Sequence, residues 1–228
     1  MARLAYTCIN EVKSILPNSK VICGGSHPTI MFEEILQQTM VDLVFRGECE
    51  ETFPEYINQM YSKISHFDLP GISFWQENVI KNNPLSPFNT DLDSLPMPDW
   101  ASINPLDYAG MPYRKGYPYL GVLVSRGCPF KCTFCSEPIW KIFGKPSFRA
   151  RSEDKIIDEI DVLVNKGVKE VRLWCEEFNT NAKWSKKLLA KIAEKQYEDV
   201  YFNFNIRGDV MDDEMADLMK RANVWMVS

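Results

Sequence analysis

Apolar runs of strand length alternate with amphipathic segments of helix length throughout the second half of the chain. The strand-like runs are residues 119–124, 168–174 and 200–206, and a fourth begins at Val224. Between these runs, apolar residues recur at the three- and four-residue spacing of helices that bury one face. Alternating strands and helices build parallel sheets, because each helix carries the chain back across the sheet. The pattern therefore predicts an α/β fold, built as a βα array, for residues 119–228.

The first 118 residues divide into a smaller α/β segment and a proline-rich connection. Residues 1–70 alternate helices with two strand-like runs, 21–23 and 41–45, which predicts parallel strands covered by helices. Two strands are too few for a stable sheet of this kind, so we expect this segment to be the last part of a larger domain. Residues 71–118 begin with a hairpin pattern. They continue with seven of the fourteen prolines of the chain, which predicts an extended linker.

Composition excludes several classes of protein. Of the 228 residues, 45% are apolar and 25% are charged, which is the usual composition of soluble globular proteins. A net charge of −5 and the lack of a basic cluster argue against a nucleic-acid partner. No apolar run approaches the roughly 18–20 residues of a membrane span. Seven cysteines without a secretion signal indicate a reducing compartment, so we expect a cytoplasmic protein.

Three cysteines follow the first strand of the βα array. Cys128, Cys132 and Cys135 lie within eight residues. Three such thiolates can hold three irons of an iron–sulfur cube and leave the fourth iron open, as a reactive site requires. Zinc, a redox pair and three packed thiols are the alternatives. Zinc would need a fourth ligand that no nearby residue provides, and a Cys132–Cys135 pair would leave Cys128 without a role. The spacing favours the cluster.

Polar side chains follow the next two strands of the array. Glu176 and Glu177 come after the second strand, and Arg207 comes after the third. Because ligands of βα arrays bind at the carboxyl ends of the strands, we expect these residues and the cysteines to share one rim. The carboxylates can accept hydrogen bonds from an ammonium group, and Arg207 can bind a carboxylate. The rim therefore suits a zwitterionic small molecule, although each residue alone also fits a solvated loop position.

The Cys-x3-Cys-x2-Cys spacing at the end of the first strand resembles the signature of radical S-adenosylmethionine (SAM) enzymes. The resemblance implies a partial, TIM-like (βα) barrel over residues 119–228 and a [4Fe–4S] cluster on Cys128, Cys132 and Cys135. It implies that SAM binds the fourth iron through its amino and carboxylate groups. An electron from the cluster then cleaves the sulfonium to a 5′-deoxyadenosyl radical. The implied partners are an electron donor such as flavodoxin or ferredoxin and a small-molecule or peptide substrate that the sequence does not identify.

The same resemblance assigns roles to the other rim residues. Phe134, which precedes the third cysteine, matches the family position that packs beside the adenine. Either Glu176 or Glu177 matches the contact to the methionine amino group, and the sequence does not choose between them. The resemblance suggests Arg207 as the contact to the methionine carboxylate.

A second resemblance concerns the N-terminal part. Residues 21–29, 41–53 and 92–99 are similar to the cobalamin-binding domain and linker fused to some radical SAM barrels, among them methyltransferases and cyclases. The resemblance implies that residues 1–70 are the C-terminal part of a Rossmann-like (flavodoxin-like) domain. It implies that Gly24 and Gly25 let the backbone approach the cobalamin nucleotide tail. A plain strand-to-helix turn is the alternative for this pair.

The chain also departs from the family pattern. It has no Asp-x-His-x-x-Gly loop, begins at a late helix of the first domain and stops in the fourth strand, whereas the family barrel has six βα units. We therefore expect a chain truncated at both ends, for which cobalamin binding stays open. The alternatives to a radical SAM enzyme are a non-catalytic metal-binding module, with zinc or a structural Fe–S cluster, and an inactive fragment.

Overall fold

A computed structural model describes residues 2–62, 67–108 and 112–228, apart from three side chains between residues 138 and 142. The chain forms two compact units, Met1–Asn89 and Thr90–Ser228. Their boundary falls inside the segment 71–118, which the sequence assigns to a separate hairpin and linker. In the described part of the chain, no helix combines the length and the apolar character needed to cross a membrane.

The first unit is a four-stranded sheet with helices on both faces. Its elements are α1 (Ala2–Ile15), β1 (Ile22–Cys23), α2 (Ser26–Ile30), α3 (Phe32–Gln38), β2 (Leu43–Phe45), α4 (Thr52–Tyr61), β3 (Ile72–Gln76) and β4 (Val79–Asn82). The strand order is β1-β2-β3-β4. Leu43 and Phe45 pack in one apolar cluster with Tyr56 of α4, and Val44 packs in another with Ile9 of α1. Strand alternation explains this, because successive side chains point to opposite faces.

The predicted hairpin is present and completes this sheet. β1 and β2 are parallel, whereas β3 pairs antiparallel with both β2 and β4. The turn between β3 and β4 places Glu77 and Asn78 at φ 49° and 63°, as a two-residue hairpin loop requires. The hairpin therefore belongs to the first unit and supplies the strands that two short parallel strands lack.

The second unit is a four-stranded parallel sheet with helices packed on one face. Its elements are β5 (Tyr119–Leu123), β6 (Ser125–Arg126), α5 (Glu137–Ile142), β7 (Arg149–Ala150), α6 (Glu153–Asn165), β8 (Glu170–Trp174), α7 (Ala182–Lys195), β9 (Tyr201–Phe204), α8 (Asp213–Arg221) and β10 (Val224–Val227). The strands lie in the order β10-β9-β8-β5, and every neighbouring pair is parallel. One apolar core joins these strands to α6, α7 and α8. The structure confirms the predicted α/β class and the predicted order of strands and helices along the chain.

Local signals fix where the helices of this unit begin. The Ser152 hydroxyl accepts a hydrogen bond from the Lys155 N–H at 3.4 Å, and the Asp212 carboxylate accepts one from the Met215 N–H at 2.8 Å. In the sequence, Ser152 and Asp212 stand directly before amphipathic helical patterns, which predicts both residues as N-caps, and the structure confirms this for α6 and α8.

The proline-rich segment packs on the second unit through three short 3₁₀ turns, Leu92–Ser94, Trp100–Ser102 and Pro105–Asp107. The Asp93 carboxylate accepts the Ser152 N–H at 3.0 Å, next to the start of α6. The Trp100 indole N–H donates to the buried Glu159 of α6 at 3.1 Å. These contacts explain why residues 90–108 fold with the second unit.

Candidate functional site

The cysteines lie on a loop at the carboxyl end of β5. We call residues 127–136 the cysteine loop. It begins after β6, and the chain returns at β7, which pairs antiparallel with β6 in a separate two-stranded sheet. Gly127 makes the first turn of the loop at φ +90°, where a Cβ would lie 2.9 Å from the carbonyl oxygens of both Pro146 and Ser147. Glycine is therefore required where the loop begins.

The three thiols differ in exposure. Cys128 and Cys132 are half-buried, and Cys135 is exposed. Burial raises the pKa of the Cys128 thiol, and the nearby carboxylate of Glu177 raises it further. The Glu137 N–H lies 3.4 Å from the Cys135 sulfur and donates to it.

The three cysteines are the type of ligand that iron–sulfur clusters take. Within residues 2–62, 67–108 and 112–228, no three metal-ligating side chains are gathered closely enough for one ion. Three cysteines on one loop are nevertheless the ligands that clusters take, because each thiolate binds its own iron.

The two carboxylates after β8 have different surroundings. Glu176 Oε2 accepts the Gly127 N–H at 2.9 Å, and its Oε1 lies 3.5 Å from the Lys145 ammonium. Glu177 Oε1 is buried and has no hydrogen-bond partner in the described part of the protein. Burial raises the pKa of Glu177, against the opposing effect of the Arg207 guanidinium. Glu176 thus supports the cysteine loop, and Glu177 keeps a free acceptor.

Arg207 follows β9 and lies against the cysteine loop. Its guanidinium carbon is 4.0 Å from the centre of the Phe130 ring. Its Nε and Nη2 donate to the Asp209 carboxylate at 2.9 and 2.5 Å, and these bonds raise the pKa of Arg207. The buried Asn179 amide fixes its backbone, accepting the Arg207 N–H at 3.0 Å and donating to its carbonyl at 2.8 Å. The structure thus brings the ends of β5, β8 and β9 to one rim, as predicted.

Phe134 stands apart from this arrangement. Its side chain is 92% exposed. Its predicted packing beside an adenine stays a prediction.

The glycine pair of the first unit forms a turn after β1. Gly25 needs its glycine because φ is +106°. Gly24 does not, since a Cβ there would meet its nearest neighbour at an ordinary 3.6 Å. The buried Thr29 hydroxyl donates to the Gly25 carbonyl at 2.7 Å and accepts the Gly47 N–H at 3.0 Å. The turns after β1 and β2 are therefore joined to each other.

Sequence reasoning missed two lysines that support the cysteine loop. Lys141 Nζ donates to the Pro129 carbonyl at 2.9 Å. Lys145 Nζ lies 2.9 Å from Glu137 Oε1, and both side chains are about nine-tenths buried. The only local signal is the four-residue spacing of the lysines shortly after the third cysteine, which also fits an exposed helix.

Comparison of the sequence with known proteins identifies one matching family and several relatives. Residues 122–228 match the radical SAM superfamily. An uncharacterized methyltransferase of Pyrococcus horikoshii is 30% identical over 226 residues, which cover 98% of this chain and 47% of that protein. The anaerobic magnesium-protoporphyrin IX monomethyl ester cyclase of Cereibacter sphaeroides is 34% identical over 172 residues, covering 72% of this chain and 26% of the cyclase. The chain thus spans less than half the length of these relatives.

Two solved structures share the fold. The radical SAM methyltransferase TsrM from Kitasatospora setae, with tryptophan and a SAM analogue bound, superposes with a TM-score of 0.74 at 18% identity. The match covers 98% of this chain and 43% of TsrM. The cobalamin-dependent SAM radical enzyme OxsB, with aqua-cobalamin and SAM bound, gives 0.72 at 19% identity and covers 99% of this chain and 33% of OxsB. At these identities the likeness concerns the fold alone.

Proposed function

Because this chain belongs to the radical SAM superfamily, we propose that it serves a radical SAM enzyme that cleaves SAM reductively with a [4Fe–4S] cluster on Cys128, Cys132 and Cys135. We place the enzyme in the cobalamin-dependent subgroup, with methyl transfer or cyclisation as its reaction. The observation that carries the proposal is the shared rim. The cysteine loop lies at the end of β5, joined to Glu176 after β8 and covered by Arg207 after β9.

The bound cluster would supply one electron and an open iron for the amino and carboxylate groups of SAM. The residues of the chain would position that molecule. Glu177 is our choice for the contact to the methionine ammonium, because its Oε1 lacks a partner among the described residues while Glu176 is engaged at 2.9 Å. An ammonium beside Glu177 would counteract the burial that raises the pKa of this carboxyl group.

Arg207 is the proposed contact for the methionine carboxylate. Its bidentate pairing with Asp209 means that it would share the guanidinium between two carboxylates or release Asp209. The contact with Phe130 keeps Arg207 at the cysteine loop in either case.

The proposal for cobalamin rests on the first unit. Its turns after β1 and β2 meet through Thr29, and the space beside Gly25 is open, since a Cβ on this residue would meet no described atom beyond its chain neighbours within 4 Å. Such turns at the carboxyl ends of parallel strands are where α/β domains bind nucleotide groups. We propose this edge as the place where the cobalamin nucleotide tail would lie.

Electron paramagnetic resonance tests the function. The protein is reconstituted anaerobically with iron and sulfide, reduced with dithionite and measured with and without SAM. We expect a reduced-cluster signal whose shape changes when SAM is added. A signal whose shape does not change with SAM would point to a structural cluster, and bound zinc without iron would point to a metal-binding module. Either result would refute the proposal.

Matched variants locate the ligands. We expect Cys132→Ala to abolish cluster assembly and Cys8→Ser, an exposed cysteine of the first unit, to leave it unchanged. We expect Glu177→Gln to raise the SAM concentration needed to change the signal by about 10- to 150-fold, because one charge-assisted hydrogen bond is worth about 1.5–3 kcal/mol. Full iron content in Cys132→Ala would contradict the ligand assignment.

A further inference from the structure

Lys145 connects both ends of the cysteine loop. Its ammonium lies 2.9 Å from Glu137 Oε1, and Glu137 follows Cys135 by two residues. The Lys145 ammonium also lies 3.5 Å from Oε1 of Glu176. The other carboxylate oxygen of Glu176 accepts the N–H of Gly127, which precedes Cys128. One cation thus links Glu137, two residues after the last cysteine, to Glu176 after β8, and through Glu176 to Gly127 before the first cysteine.

Burial makes this connection costly to disturb. The side chains of Lys145 and Glu137 are only 9% and 10% exposed. A buried ion pair adds little net stability, but removal of one partner leaves the other charge without compensation in a poorly polarisable surrounding. Without Lys145, the carboxylates of Glu137 and Glu176 would face each other with no cation between them. The end of the cysteine loop would then move away from β8.

The backbone places Lys145 where it can act. Gly144 follows the end of α5 at φ +81°, and the Lys145 N–H donates to the Trp140 carbonyl of the helix at 3.2 Å. The next residue, Pro146, presents its carbonyl to the tight turn at Gly127. The lysine therefore sits in a segment that already packs on the start of the cysteine loop.

We propose that Lys145 is a positioning residue for the iron–sulfur cluster, holding the two ends of the cysteine loop together and setting the charge beside it. The proposal rests on the proposed function, since it concerns the same cysteines. Residues that orient metal ligands from behind typically change metal affinity 10- to 100-fold when they are replaced. A cation near a cluster also favours its reduced, more negative state.

The test compares Lys145→Met, Lys145→Arg and the control Lys191→Met, a solvent-facing ion-pair lysine on α7. Each protein is reconstituted anaerobically and desalted, and iron release to a chelator, reduction potential and the spectrum of the reduced cluster are measured. We expect Lys145→Met to release iron about 10- to 100-fold faster and to have a more negative potential. We expect Lys145→Arg to restore most of both properties, because it keeps the charge.

A double variant separates charge from folding. Adding Glu137→Gln to Lys145→Met removes the buried carboxylate that the lysine neutralises, so we expect it to recover part of the iron retention. Recovery would not occur if Lys145→Met simply unfolded the loop. The inference is refuted if Lys145→Met retains iron as Lys191→Met does, or if Lys145→Arg and the double variant fail as badly as Lys145→Met.

The proposed function can fail separately from this inference. If the unaltered protein takes up no iron and sulfide, the cluster proposal falls and Lys145 has no cluster to position. If the unaltered protein forms a SAM-responsive cluster and the Lys145 variants match it, only the inference falls.

Discussion

Removal of the Glu170 carboxylate should strongly destabilise the second unit. Glu170 begins β8 and is fully buried. Its Oε2 accepts the N–H groups of Lys115 and Gly116 at 2.8 and 3.0 Å. Its Oε1 accepts the Asn203 amide at 2.7 Å and faces the Arg114 guanidinium at 3.4 Å. The carboxylate thus ties the chain before β5 to β8 and β9.

The expected magnitude follows from the donors left behind. Glu170→Ala leaves two backbone N–H groups, an amide and a guanidinium without their acceptor. A buried unsatisfied donor costs about 1–3 kcal/mol, and a broken buried ion pair costs about 3–5 kcal/mol. Because these terms overlap, we expect a loss of about 4 kcal/mol in the free energy of unfolding. Glu170→Gln keeps one acceptor oxygen, so we expect a loss of about 1–3 kcal/mol.

Urea unfolding followed by tryptophan fluorescence measures this loss, since five of the six tryptophans lie in Thr90–Ser228. With a slope of about 2 kcal/mol per molar urea, 4 kcal/mol lowers the midpoint by about 2 M. Glu198→Ala, at an exposed position before β9, is the control and should stay within about 0.5 kcal/mol of the unaltered protein. If Glu170→Ala and Glu198→Ala have the same midpoint, the reasoning about the buried carboxylate is wrong.

Three further predictions concern other parts of the chain. Gly121→Ala would place a Cβ 2.1 Å from the Trp174 indole nitrogen and should cost about 1–3 kcal/mol in urea unfolding, with a changed fluorescence spectrum. Burial raises the pKa of Asp42, but hydrogen bonds from two lysines and a backbone N–H outweigh this effect and lower the pKa below its usual 3.8. The stabilising effect of the carboxylate is therefore complete above pH 3.8 and is lost as the pH falls through the lower folded pKa. In urea unfolding measured at several acid pH values, Asp42→Asn should weaken the dependence of the free energy of unfolding on pH. Burial raises the pKa of Cys175 to about 12, so iodoacetamide at pH 8 should modify the exposed Cys8 but not Cys175 in the native protein, as mass spectrometry can check.

The sequence predicted those features that depend on neighbours along the chain. The N-cap at Ser152 needs only the three residues that follow it, and the structure places the cap there. The position of the cysteines at the end of β5 follows from the order of strands and helices, which local periodicity reveals. The rim formed with Glu176 and Arg207 then follows from the geometry of parallel strands.

Features that depend on distant partners were beyond such reasoning. The pairing of β3 with β2 gives the first unit an antiparallel half, and nothing within residues 72–76 specifies that partner. The choice between Glu176 and Glu177 depends on which oxygen the Gly127 N–H reaches from 49 positions away. Lys145 looks like a surface residue in the sequence, because its burial is decided by the carboxylates that the fold brings to it.

The carboxylates at the two ends of β8 differ in their hydrogen bonding. At its amino end, Glu170 is fully buried and every one of its contacts is a donor within the unit. Beyond its carboxyl end, Glu177 is also partly buried, yet its Oε1 has no donor in the described part of the chain. A buried acceptor without a partner is costly, and among the described residues the fold supplies donors to Glu170 but none to Glu177 Oε1. The free Oε1 of Glu177 agrees with the ammonium contact that we propose for this residue beside the cysteine loop.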